Sequence, residues 1–442
     1  MESSPGKFHN LLPRAASLSE IQNTIQRRGR RIVEYAVGEG STLAFVIGAD
    51  TLQVVRLGIR RDELEKLIER VANVFSGNGE SGHSWSASFA NFDPNACIEA
   101  YQKILKPVLR VVPDVDELTI IPDGILAGIP FECFLTDDRS DANFTGGQFV
   151  IKKMSINYAT TATSLIPELQ QDPPADRALL AIGNPQMNDA VNDSRVDNPL
   201  SLRFSRSSPG FPPLPGAEKE VMAIQNEFEG NATVLLGKDA SREKLRSLMQ
   251  SFLVIHFATH TSIVQEGPLG SAMYLAQDEI REHPDNFRPW EFSASDLKAR
   301  LVVLSSCNTI RFERGFDEAG FLRGLSEAGV PSIVGCLWSA DDNTAATLMA
   351  RFYHYLWAGD PISKALQKAK IDLINSGKVD PYYWAPFVLF GTSSPLDVPR
   401  VSHRQTETRL LGYLLALFVL AVALIYWKRA HSRRQSVREC SC

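Results

Sequence analysis

The chain has 442 residues, enough for two packed domains or one large one. With 44% hydrophobic and 22% charged residues it has a globular composition, which excludes disorder over most of its length. The net charge of −5 divides unevenly: from Arg400 onward eight basic residues face two acids, leaving −11 for the body, an acidic balance that excludes nucleic acid as the main partner.

Residues 1–16 read as a leader without the apolar stretch of a signal peptide, so the body is expected in the cytoplasm. A capped helix is predicted over 17–26. Three short β-branched runs follow at 32–37, 42–47 and 52–57, spaced as in an antiparallel meander. Helical spacing of Leu64, Leu67, Ile68 and Val71 predicts a helix over 61–75, and 95–111 predicts a second. Between them 76–88 is a Gly/Ser-rich loop. The strand at 117–121 is closed by the Pro122-Asp123-Gly124 turn.

A junction at 170–174 separates an N-terminal part, 17–172, from a second part, 173–395. The strand at 179–182 runs into Gly183-Asn184-Pro185, and the polar stretch 186–213 is the longest candidate for a mobile or cleavable loop. From Leu214 onward helices (218–228, 241–250, 342–357, 362–374) alternate with strands (233–236, 252–257, 301–304, 333–337, 384–390). The central strands are continuous apolar runs, which predicts an α/β fold whose mainly parallel sheet is buried on both faces.

A linker at 396–409 precedes eighteen uncharged residues, 410–427, just long enough to cross ~30 Å of hydrocarbon. Tyr413, Tyr426 and Trp427 sit near the ends of that run, and a basic tail, 428–442, follows. A C-terminal single-pass transmembrane helix is therefore expected, with a buried core helix as the alternative. The six cysteines (Cys97, Cys133, Cys307, Cys336, Cys440, Cys442) form no Cys-x-x-Cys pair, so neither a zinc site nor a disulfide framework is indicated.

Two strands end in reactive side chains: FLVIHFATH at His260 and LVVLSSC at Cys307. In an open α/β sheet, sites form beyond the carboxyl ends of the strands. If the two strands are neighbours, His260 faces Cys307, and an adjacent imidazole would activate a thiol whose ordinary pKa is near 8.5. Cysteines at strand ends are more often small buried hydrophobes. His256, in mid-strand, is expected to be structural. His256 and His260 cannot act as a helical zinc pair, because four residues of strand separate them by ~13 Å. The 47-residue spacing from His260 to Cys307 is close to the roughly 50 of caspases.

HFATH, LVVLSSCNT, AGVPSIVGCLWSADDNTAATLMARFYHYL and YYWAPFVLFG, in that order, resemble the CHAT domain, a caspase- and separase-related cysteine-peptidase family. LTIIPDGILAGIPFECFL, PLPGAEKEV and the segment from SLSEIQ to LQVVRL extend the likeness over about residues 17–395. The resemblance implies a caspase-like sheet flanked by helices, preceded by a related α+β domain, with no cofactor and no metal. It places the catalytic base on His260 and the nucleophile on Cys307, with an oxyanion hole from the backbone N–H groups of Thr261 and Cys307. Trp338 and Asp341 are candidates for a substrate pocket, although capping a helix is the commoner use of such an Asp.

The sequence departs from the family pattern where Thr261 follows the His, Asn308 follows the Cys, and Ile310 stands two residues further on, at positions usually Gly, Glu and Gly. The implied function is a membrane-anchored endopeptidase acting on a protein substrate, such as a pore-former, in regulated cell death or defence, with an activating partner subunit. The alternatives are a catalytically weak scaffold that binds partner proteins and, third, a serine hydrolase, for which no Gly-x-Ser-x-Gly elbow is present.

Overall fold

The computed structural model describes residues 15–26, 30–73, 92–112, 115–136, 148–166, 175, 177–187, 212–228, 231–262, 271–276, 286–306, 309–310 and 320–397. The expected meander is formed by β1 (Arg31–Val37), β2 (Thr42–Ile47) and β3 (Leu52–Leu57), paired antiparallel. β4 (Glu117–Ile121) lies parallel to β1, and β5 (Ser155–Tyr158) parallel to β4. β6 (Arg177–Pro185), β7 (Ala232–Gly237) and β8 (Phe252–Ala258) pair in parallel with β6 in the middle. β9 (Thr261–Ser262), β10 (Ala272–Tyr274) and β11 (Asn286–Phe287) make a small separate sheet. β12 (Leu301–Leu304) and β13 (Ser332–Cys336) continue the parallel array, and β14 (Phe387–Gly391) runs antiparallel to β13. β14 also pairs with β5. One 11-stranded sheet, in the order β3-β2-β1-β4-β5-β14-β13-β12-β8-β6-β7, therefore joins strands from both sides of the predicted division at 172–173.

Apolar composition explains why the central strands sit in the middle. Every residue of β8, β12 and β13 is buried, and helices cover both faces. The helices are α1 (Leu18–Gln26), α2 (Arg61–Ala72), α3 (Pro94–Ala100), α4 (Lys106–Leu109), α5 (Pro215–Glu227), α6 (Arg242–Leu248), α7 (Pro289–Ser293), α8 (Gly320–Glu327), α9 (Asp342–Trp357), α10 (Ile362–Asn375) and α11 (Pro381–Trp384). Ser17 and Glu20 close a capping box at the start of α1: the Ser17 N–H donates to Glu20 Oε2 at 2.8 Å, and the Glu20 N–H to Ser17 Oγ at 3.4 Å. Ile21 and Ile25 then pack on Ile32 and Ile47. The single helix expected over 95–111 is interrupted by a π turn at Tyr101–Leu105, because Pro107 has no N–H to continue the ladder. The last strand starts later than expected, since Trp384 belongs to α11, where its indole N–H donates to the Val379 carbonyl at 3.0 Å.

The sequence reading lacks the three short strands β9, β10 and β11 and, within the large sheet, β5. Its Ser155 and Asn157 are polar, yet fully buried at the seam where β5 meets β14. Asn157 accepts from the Thr119 hydroxyl at 3.0 Å and donates to the Gly391 carbonyl at 2.8 Å, so its amide ties three strands together. Beside it Lys370 of α10 lies 3.1 Å from Glu132, and the Tyr158 hydroxyl donates to the other Glu132 oxygen at 2.5 Å. Lys370 and Glu132 are 0% and 2% exposed at their side chains.

Burial holds the phenols of Tyr35, Tyr158 and Tyr353 above the ordinary tyrosine range, with Glu132 adding to the rise at Tyr158 and Glu220 at Tyr353. Their neutral forms are favoured in the fold, so the stability they contribute is complete below the unfolded value of about 10 and is lost as the pH climbs above it. Well above pH 10 the slope approaches about 4 kcal/mol per pH unit for three such groups. Urea midpoints should therefore hold between pH 8 and 9 and fall steeply by pH 11; a flat profile would refute this.

The structure corrects the expected membrane localisation. Among the described residues no helix is long and apolar enough to cross a membrane. The longest of them, α9, has 16 residues and spans ~24 Å, short of the ~30 Å required, and it carries Asp342 and Arg351. A single-pass C-terminal anchor, and with it the membrane as a partner, is thus not supported. The run 410–427 that suggested it lies outside the described residues, within a second unit, Pro399–Cys442. The predicted loop at 76–88 and residues 188–211 of the predicted loop 186–213 also lie outside them.

Candidate active site

β8 and β12 are adjacent and parallel, in a register that sets Leu304 beside Phe257. His260 and Cys307 each stand three residues further along. Cys307 and Asn308 lie outside the described residues, but the chain on either side of them is pinned. The Ser305 N–H donates to the Phe257 carbonyl at 2.8 Å, and the Thr259 N–H to Ser306 Oγ at 3.1 Å. On the far side the Thr309 hydroxyl donates to the Leu304 carbonyl at 3.2 Å and accepts from the Cys336 N–H at 2.9 Å. The Ile310 N–H closes the turn on the Cys336 carbonyl at 3.1 Å. The residues preceding His260 and Cys307 are thus hydrogen-bonded to each other across the carboxyl edge of the sheet.

His260 is half-buried, and its Nε2 donates to the Pro212 carbonyl at 2.8 Å. A carbonyl can only accept, so the neutral ring carries its proton on Nε2 and its lone pair on Nδ1. The His260 carbonyl in turn accepts from the Tyr274 N–H at 2.9 Å, anchoring the loop to β10. Pro212 was not anticipated as part of the site. The only signal for it was the Pro-Pro-Leu-Pro-Gly run at 212–216, whose chemistry lies in the backbone rather than in a side chain.

Asp342, the first residue of α9, has an exposed side chain near His260, and its carboxyl, partly desolvated by its surroundings, is held above the usual carboxylate range. That desolvation is the main cause, the charges of Asp341 and Glu220 add to it, and His260 opposes it. The close approach of α5 enforces this position: a Cβ at Gly216 would lie 2.5 Å from Asp342 Cβ. Asp341, expected to line a substrate pocket, caps α9, its Oδ1 accepting from the Thr344 N–H at 3.0 Å and the Thr344 hydroxyl at 2.6 Å. Trp338, the other pocket candidate, is 7% exposed and donates its indole N–H to the Tyr382 carbonyl at 3.2 Å.

His256 is fully buried among other partners. Its Nδ1 is 3.1 Å from the Tyr353 hydroxyl, and its Nε2 lies 3.0 Å from Glu220 Oε1, out of line for a hydrogen bond. It belongs to the packing of β8 against α5 and α9.

Two departures from the family pattern have local explanations. Thr261 sits in β9, in an extended pair with Met273, where a β-branched residue is at ease. Among the described non-glycine residues only Asn184 has a positive φ. Ile310 is fully buried over Gly335, where a Cβ would come within 2.0 Å of Ile310 Cδ1. The larger side chain at 310 is accommodated by the missing one at 335.

The model of one family, the CHAT domain, matches residues 95–392. Tetratricopeptide repeat protein 28 of Mus musculus is 24% identical over 339 residues, and that of Homo sapiens 25%; each alignment covers 67% of this chain. The matched region spans only 13% of those relatives' length. Among solved structures, the Saccharomyces cerevisiae separase-securin complex superposes with a TM-score of 0.53 at 10% identity, covering 85% of this chain and 31% of that one. That likeness is one of fold.

Proposed function

The chain belongs to the CHAT domain family, the caspase- and separase-like group of cysteine-peptidase folds, and on that premise we propose that it is a cysteine endopeptidase in which His260 activates Cys307. One observation supports this above the others: the β8–β12 register and the Thr259–Ser306 hydrogen bond join the residues that immediately precede His260 and Cys307 at one sheet edge. The Pro212 carbonyl fixes the imidazole with its lone pair on Nδ1, as a general base requires.

In the proposed reaction Nδ1 takes the thiol proton and the thiolate adds to a peptide carbonyl. The charge that develops on the carbonyl oxygen is met by the N–H groups of Thr261 and Cys307. The imidazolium then returns the proton to the departing amine, and water hydrolyses the thioester. No cofactor is called for. The substrate is proposed to be a protein, with control exerted by a separate partner; a role in cell death or defence rests on the resemblance alone.

The test is a comparison of new protein N-termini produced in cell extract by the full chain and by Cys307→Ala. Cleavages made by the first and absent with the second are expected. Identical profiles, under conditions where the wild-type cysteine labels rapidly, would favour the partner-binding scaffold.

A further inference from the structure

We infer that Asn184 is a positioning residue for catalysis: its amide holds the segment Pro212–Leu214 so that the Pro212 carbonyl orients His260. This inference rests on the His260–Cys307 reading above. Asn184 sits at the carboxyl end of β6, the neighbour of β8, where the β6–β7 register shifts between Gly183 and Pro185. Its φ is +42°, a left-handed conformation that asparagine tolerates better than most residues but that still costs free energy. Strain of that kind persists where the surroundings over-determine it, and it clusters at functional sites.

Both ends of the amide are used. Asn184 Oδ1 accepts from the Leu214 N–H at 2.7 Å, and Nδ2 donates to Glu218 Oε2 at 2.9 Å. Leu214 is the residue before α5, and Glu218 lies in its first turn, so the start of α5 is clamped to the end of β6. Pro212 is two residues before Leu214, with its carbonyl 2.8 Å from His260 Nε2. The amide therefore stands at one end of a short relay: strand edge, Asn184, Leu214, Pro212 carbonyl, imidazole. Pro212 and Pro213 have no N–H of their own and both are exposed, so the Leu214 N–H is the first backbone donor available to anchor the segment. Without it, the segment loses the bond that sets the height of the Pro212 carbonyl over the ring.

A purely structural role would alter stability and leave the ionisation of the site alone. The experiment therefore measures the pH dependence of Cys307 alkylation in the full chain, with the thermal midpoint taken in parallel. Asn184→Gly keeps the left-handed backbone and removes both hydrogen bonds. Asn184→Asp with Glu218→Gln restores both with the donor and acceptor of the outer bond exchanged, while keeping the acceptor for Leu214.

Asn184→Gly is expected to slow labelling about fivefold at pH 6 and to move the midpoint of the pH profile up toward that of an ordinary thiol. The double variant is expected to return both to within about twofold of wild type. An unchanged profile in Asn184→Gly, while His260→Ala does slow labelling, overturns this inference and leaves the dyad standing. A slower rate that follows a lowered thermal midpoint with an unmoved pH profile also overturns it. If His260→Ala has no effect at all, the dyad reading fails and this inference falls with it.

Discussion

Replacing His260 with alanine is expected to slow alkylation of Cys307 about tenfold at pH 6 and about threefold at pH 7, as read by peptide mass spectrometry of the purified full chain. The figures follow from two opposed effects. An ordinary thiol of pKa 8.5 is about 0.3% thiolate at pH 6, whereas one lowered by two pKa units beside an imidazolium is about 24%. The lower pKa also makes the thiolate a poorer nucleophile, by roughly eightfold for that shift with a Brønsted coefficient near 0.45. The gain in thiolate fraction wins, and it wins by more at low pH, so pH 6 discriminates best. Cys307→Ala must abolish labelling at that peptide. A wild-type rate no faster than an exposed model thiol, and indifferent to His260, would remove the activated nucleophile from consideration.

Lys370→Met is expected to cost about 3–5 kcal/mol of stability, the usual consequence of stranding one charge of a buried pair. Lys370 approaches Glu132 at 3.1 Å with both side chains removed from solvent. Loss of the ammonium would leave the carboxylate with the Tyr158 hydroxyl, which itself accepts from the Phe131 N–H at 2.8 Å. The pair bridges α10 to the segment after β4, beside the β5–β14 contact, so the loss falls on the seam where the two halves of the sheet join. Adding Glu132→Leu to Lys370→Met should recover most of the loss, because the desolvation cost disappears with the second charge. Urea denaturation of the single and double variants measures this. A single-variant cost below about 1 kcal/mol would mean that water reaches the pair.

Local chemistry was enough to locate most of the parallel array and to single out His260 and Cys307 as candidates. Runs such as FLVIHFA and LVVL can be satisfied only by burial on both faces, and a His and a Cys at the ends of such runs lie at the sheet edge where sites form. The start of α1 was legible in Ser17 and Glu20, and the turn at Gly124, with φ of +55°, in Pro122-Asp123-Gly124. Contacts between distant segments decided the rest. β5 was hidden because Ser155 and Asn157 look like loop residues until Asn157 finds Thr119 and Gly391, the latter 234 residues away. The π turn before α4 arises where Pro107 removes a ladder donor from a helix whose apolar face is already buried.

At the site, the residue types suggested His260 and Cys307, whereas the register that makes their strands neighbours exists only in the sheet. The same division explains Pro212 and Asn184. A backbone carbonyl has no signature in the sequence, and an asparagine in a Gly-Asn-Pro turn reads as turn chemistry alone. Its second use arises when β6 and the start of α5 are brought within 2.7 Å of each other. Composition and periodicity determine what each segment can bury; which polar atoms then meet is set by the packing of segments far apart in the chain, because a buried donor must find its acceptor wherever the fold places it.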